Sequence, residues 1–158
     1  MHPVELAEAF ARHGVAYCIV GGVAATLHGV LRDTFDLDVL VSPAAENLRR
    51  ASLAMAELGM APHVPVKLED LADPEVRRRL REEKNLLALG YVDPASPLRR
   101  VDVLLDGPFE VDDVIARAVV RGGARVIGLA DLIAMKRAAG RPRDLDDADW
   151  LERLERER

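Results

Sequence analysis

The stretch DTFDLDVLV, from Asp33 to Val41, packs three carboxylates into nine residues and ends in an apolar tail with the look of a buried strand. Burying an unpaired carboxylate costs several kcal/mol, so such groups are normally paired, neutralised or bound to a metal. Side chains alternate along a strand, which sends Asp36 and Asp38 to one face and Leu37, Val39 and Val41 to the other. Two residues of strand separate their Cα atoms by about 6–7 Å, a spacing that lets two carboxylates clamp one cation or share a pair. A second acidic strand pattern, RRVDVLLD, places Asp102 between Val101 and Val103. If the two strands are neighbours, Asp36, Asp38 and Asp102 converge. Hard oxygen donors without nearby cysteine or histidine suit Mg²⁺ or Mn²⁺, ions that keep waters and engage substrate phosphates.

A phosphate site is therefore the next thing to seek, and Gly21-Gly22 is the candidate. The pair ends the apolar run VAYCIV and opens a short helix-compatible segment. Glycine lets the backbone approach a phosphate closely. The segment is not a P-loop, because no Gly-Lys-Ser/Thr follows, nor a dinucleotide fingerprint, because the third glycine is missing. Arg32 and Thr34 precede the acidic pair as candidate phosphate contacts, and Lys136, on a helix, is a candidate cation for neutralising phosphate charge. Asp33 reads as a loop-capping residue, His28 as a packing or surface residue, Cys18 as a buried small hydrophobe and Trp150 as a core anchor. DTFDLD is no EF-hand, since it lacks the glycine and the distant glutamate.

The elements that must position these residues follow from the pattern. Leu6, Phe10 and His13 form a helical stripe closed by Gly14, and Val15–Val20 is a short strand. Ser42-Pro43 signals a helix start, after which Ala44, Leu48, Ala51, Met55 and Leu58 recur at helical spacing up to Gly59. APHVPVKLED holds at most an edge strand because of its prolines, and DPEVRRRLREEK is a solvated helix or a loop. NLLALGYV and RRVDVLLD form a hairpin through DPASPL, and ARVIG is a further strand. Two helices follow, LADLIAMKRAAG and a charged final one beyond Arg141-Pro142. Together these predict an α/β (α+β) domain over residues 1–158, a small, mixed, mostly antiparallel sheet flanked by helices.

Composition narrows the function classes. The chain has 158 residues, a formal charge of −5 and 49% hydrophobic residues, which argues against a protein that coats nucleic acid nonspecifically. One cysteine excludes an internal disulfide and, with four scattered histidines, a zinc-type cluster; a reduced cytoplasmic setting is expected. MHPVELAEAFARHG lacks the basic and apolar regions of a signal peptide, and no apolar run reaches the roughly 20 residues of a membrane span.

Val20-Gly21-Gly22, thirteen residues, Asp36-Leu37-Asp38, and then Asp102 in RVDVLL together resemble the DNA-polymerase-β-like nucleotidyltransferase superfamily. YCIVGGVAATLHGVLRDTFDLDVLV is similar to the small bacterial nucleotidyltransferases of abortive-infection and toxin–antitoxin systems, as is the tail LADLIAMKRAAGRPRDLDDADWL. The resemblance implies a nucleotidyltransferase fold. It also implies Mg²⁺-dependent transfer of a nucleoside monophosphate from an NTP to a hydroxyl of a tRNA, a protein or a small molecule. Asp36 and Asp38 would bind metal with the nucleotide, Asp102 would help activate the acceptor, and Gly21 and Gly22 would hold phosphates through their amides. Many members carry serine where this chain has Gly22. An antitoxin or helical partner protein would accompany the toxin–antitoxin form, and the alternative is a non-catalytic module that binds nucleotide or a partner.

Overall fold

Proline at the first turn and the His2 imidazole, whose Nδ1 accepts the Val4 amide at 3.2 Å, start α1 (Pro3–His13). Gly14 ends it in the left-handed conformation. The computed structural model describes residues 1–158. In chain order β1 (Tyr17–Val20), α2 (Gly21–Leu27), β2 (Leu37–Val41) and α3 (Ala45–Glu57) follow. The two-residue edge strand β3 (Ala61–Pro62) leads to a 3-10 turn at Leu68–Ala72 and to α4 (Pro74–Lys84). The hairpin of β4 (Leu89–Asp93) and β5 (Ser96–Leu104) comes next, then α5 (Val111–Ala116), β6 (Val119–Arg121), β7 (Ala124–Val126), α6 (Leu129–Ala139) and α7 (Pro142–Glu157).

The seven strands form one mixed sheet in the order β3-β4-β5-β2-β1-β7-β6. β2 runs parallel to β5 and β1 parallel to β7, while the other four pairings are antiparallel. The expected mostly antiparallel mixed sheet is therefore observed. The central strands read as continuous apolar runs because both faces are covered: all of Tyr17–Val20 is buried, as are Leu37, Val39, Leu40 and Val41. Helices α1 and α3 pack on each other, as do α6 and α7, and α2 touches β1, β2 and α6.

Several local expectations shift. Ser42-Pro43 does not cap α3; the helix begins at Ala45 with no side-chain cap, and the Ser42 carbonyl instead accepts the Asn47 amide at 3.0 Å. The short α2 starts at Gly21 itself, one residue ahead of Gly22. DPEVRRRLREEK is a helix, capped by Asp73 and with no buried residue. α5 and β6 arise where the residue pattern carries no clear signal. Trp150 is 43% exposed and is not a core anchor, because the buried stripe of α7 runs through Asp144, Asp147, Ala148 and Leu151 and Trp150 lies off it. No helix is long and apolar enough to cross a membrane.

Candidate active site

The pairing of β2 with its neighbours fixes the acidic centre. Asp38 stands opposite Val20 on β1 and opposite Asp102 on β5, and Asp102 stands opposite Gly90 on β4. Residues in lateral register share a sheet face, so Asp38 and Asp102 point the same way from strands about 4.8 Å apart. Asp36 does not belong to the strand as expected: β2 begins at Leu37, which leaves Asp36 exposed at the end of the entering loop. It nonetheless lines the same cleft as Asp38 and Asp102, a cavity of about 560 Å³.

None of the three carboxylates makes a hydrogen bond or an ion pair within the chain. Burial first, then the charges of Asp102 and Asp36, push the Asp38 carboxyl up to about 6. Asp102 is raised too, by burial and then by Asp36. This is a set of hard oxygen donors carrying excess negative charge, which fits a divalent cation. No three His, Cys, Asp or Glu side chains close around a point tightly enough to enclose a metal by themselves. The expected three-carboxylate convergence is thus an open arrangement, one whose remaining ligands would be water or substrate oxygens.

Both glycines are pressed against this centre. Gly21 has φ +67°, a left-handed conformation, and a Cβ there would overlap the Asp38 carboxylate. A Cβ on Gly22 would collide with the Arg32 guanidinium and come within 2.7 Å of the Thr34 hydroxyl. The space a serine would need is occupied by arginine. Gly22, Arg32, Thr34, Arg141 and Arg143 line a second pocket of about 290 Å³ that has no apolar side chain and shares Asp36 and Asp38 with the main cleft.

Lys136 is buried, only 3% exposed, and is not a surface residue. Its Nζ donates to Asp144 at 3.3 Å and to Asp147 at 2.7 Å, while its side chain still borders the main cleft. Arg32 Nη1 donates to the same Asp147 oxygen at 2.7 Å, and Arg141 Nε donates to Asp144 at 2.6 Å. Burial works to raise Asp144, but Arg141 and Lys136 together hold its carboxyl below the usual range. The cleft thus has an acidic floor on β2 and β5 and a cationic wall held by α7. Asp147 escapes a motif reading, although two acids on the buried stripe of α7, beside Ala148 and Leu151, are the signal that marks it.

The remaining sequence candidates are structural. His28 is buried and its Nε2 donates to the Ile127 carbonyl at 2.7 Å, with burial holding the ring below its ordinary pKa. Cys18 is fully buried, and burial pushes its thiol up to about 12. Asp33 sits in the loop, where its carbonyl accepts from Arg143 at 3.3 Å.

No protein-family model matches the chain, and no curated protein sequence does. Among solved structures, the chain is similar to the solution structure of the antibiotic-resistance factor ANT(2'')-Ia, with a TM-score of 0.56 at 14% identity over 95% of this chain and 85% of that one. It is also similar to the crystal structure of ANT(2'')-Ia in complex with adenylyl-2''-tobramycin, with a TM-score of 0.54 at 14% identity over 95% of this chain and 90% of that one. At this identity the likeness is one of fold: the chain shares the mixed α/β fold of the ANT(2'')-Ia structures.

Proposed function

We propose that the chain is a nucleotidyltransferase, moving a nucleoside monophosphate from an NTP to a hydroxyl and releasing pyrophosphate. The observation that carries this is the Asp38–Asp102 pair: two carboxylates in lateral register on neighbouring strands, aimed into one cleft with no ion pair or hydrogen bond from the protein. A structural acid would be paired, and these are not. The fold and the acidic floor support the same reading.

Asp36, Asp38 and Asp102 would hold Mg²⁺ or Mn²⁺ with the nucleotide, and such an ion supplies neutralisation of phosphate charge. The protein's own groups have separable tasks. Gly21 and Gly22 let the polyphosphate approach the backbone, and Arg32, Thr34, Arg141 and Arg143 offer donors in the pocket beside them. Asp102 lies on the far side of Asp38 from the glycines, where it would accept a proton from the acceptor hydroxyl. Asp36 and Asp38 would draw the triphosphate in only through the cation they hold, and in the in-line displacement the bond from the acceptor oxygen to the α-phosphorus would form as the bond to pyrophosphate breaks.

A small-molecule hydroxyl is the favoured acceptor. A cleft of about 560 Å³ has the volume of a small-ligand site, and a similar fold is seen with adenylyl-2''-tobramycin. A tRNA or protein acceptor, as in a toxin–antitoxin system with its antitoxin, is the competing form of the same chemistry.

The test is incubation with each labelled NTP, Mg²⁺ or Mn²⁺, and an acceptor panel of aminoglycosides, tRNA and the protein itself. Label transfer that disappears in Asp36→Asn supports the proposal. Metal-dependent NTP binding with no labelled acceptor would establish a binding module instead.

A further inference from the structure

The wall opposite the acids has an unusual point of attachment. Lys136 Nζ and Arg32 Nη1 both donate to Oδ2 of Asp147, each at 2.7 Å. One cation comes from α6 and the other from the loop that enters β2, so a single oxygen atom on α7 ties together three parts of the chain. Both partners face cavities, Lys136 the main cleft and Arg32 the polar pocket beside Gly22. Asp147 lines neither and is 5% exposed, so it stands behind the cations it holds.

The Arg32 guanidinium is constrained from several sides. Nη1 is fixed by Asp147, Nη2 lies over Gly22, and Nε is buried without a partner. Leaving a buried N–H unmade is costly, so Arg32 is kept in this pose by the ion pair and by the space that Gly22 concedes. Lys136 retains Asp144 if Asp147 is lost, but Arg32 has no other acceptor in the chain.

We propose that Asp147 is a positioning residue for polyphosphate binding: its one oxygen holds Arg32 over Gly22 and Lys136 at the cleft wall, so that both cations are pre-arranged for an incoming triphosphate. This rests on the nucleotidyltransferase reading for its ligand. Removing the carboxylate has two opposing effects, because it frees Arg32 to swing away and also deletes a negative charge that repels an anion. The sign of the change in affinity separates positioning from simple charge.

The experiment measures binding of inorganic tripolyphosphate and of ATP, with and without Mg²⁺, by calorimetry on the full chain. Asp147→Asn, Arg32→Gln and the double variant are compared, with thermal melts to establish folding. Each single substitution is expected to weaken tripolyphosphate binding by about tenfold, and the double variant to be within about twofold of Asp147→Asn alone, since contacts that act through one another are not additive. Unchanged or tighter binding in folded Asp147→Asn, or a fully additive double variant, overturns the proposal. If Asp147→Asn does not fold, Asp147→Glu keeps the charge and displaces the oxygen. It is expected to weaken tripolyphosphate binding, and wild-type affinity would overturn the proposal. Absence of any tripolyphosphate or ATP binding by the wild type also overturns it. The expected pattern without transfer to any acceptor would leave Asp147 assigned and the enzymatic reading refuted.

Discussion

Asp38 and Asp102 are direct partners in the parallel pairing of β2 with β5, and neither carboxylate is ion-paired within the chain. Their relationship sets the first expectation. The Asp38 carboxyl is pushed up to about 6 from an ordinary 3.8, so the folded protein binds this proton more tightly than the unfolded chain. Without metal, stability is greatest at low pH from this group, falls as pH rises through about 4 to 6, and is level above. Asp38→Asn should remove that slope and, at about pH 8 in EDTA, stabilise the protein by about 1–3 kcal/mol, a tenfold change in proton affinity being worth about 1.4 kcal/mol. Urea unfolding at both ends of the pH range is the check. A loss of stability in Asp38→Asn would mean that the acid is structural.

Divalent cation should reverse the penalty. Ligands that bind only the folded state raise its melting temperature, so Mg²⁺ with an NTP should raise that of the wild type by several degrees. Asp38→Asn should respond weakly. Equal shifts in the two proteins would place the metal, if bound at all, away from the acidic floor.

Gly21 and Gly22 should not tolerate side chains, for different reasons. Gly21→Ala places a Cβ on the Asp38 carboxylate at a left-handed φ of +67°, while Gly22→Ser drives into Arg32 and Thr34. Each should cost about 1–3 kcal/mol through overpacking or strain. Gly22→Ser should also weaken NTP binding, because the serine and Arg32 cannot occupy one space. A Gly22→Ser protein with improved NTP affinity would show that Arg32 moves aside freely.

Lys136 is expected to be a large contributor to stability. Truncation to alanine leaves Asp144 with Arg141 alone and Asp147 with Arg32 alone, so the loss falls at or below the low end of the about 3–5 kcal/mol for breaking a buried ion pair. Chemical denaturation gives the value, and a change below about 1 kcal/mol would mean that solvent reaches the network.

What was legible in the sequence was the part governed by local pattern. The glycine pair, Asp38 after Leu37, and Asp102 between two valines announce a strand-borne acidic site, because alternation and apolar context are properties of a few consecutive residues, whereas Asp36 falls just outside the strand. The hairpin of β4 and β5 and the α6 and α7 helices were readable for the same reason. The cationic wall was only partly readable, since Lys136 and Arg32 gain their meaning from partners far along the chain. A lysine with helical neighbours looks solvated until two acids on another helix close over it. Trp150 misled because an aromatic residue suggests burial, whereas the acids at Asp144 and Asp147 took the inward stripe of α7. β6 and α5 are not legible because three- and six-residue elements carry too little periodicity to stand out.

The bond from Arg32 to Asp147 joins positions 115 residues apart, which gives it a place in time as well as in space. Closing so long a loop costs more chain entropy than pairing β1 with β2 or β4 with β5, so those strand pairs can form before α7 docks. A species with α7 released would keep its acidic floor and lose its grip on anions. The chain carries a built-in reporter of that event: its one tryptophan, Trp150, rides on the outer side of α7. Its fluorescence in a denaturant series should change together with the loss of ATP binding and ahead of the far-ultraviolet signal of the sheet. Coincident transitions would instead mean that helix and sheet unfold as one unit.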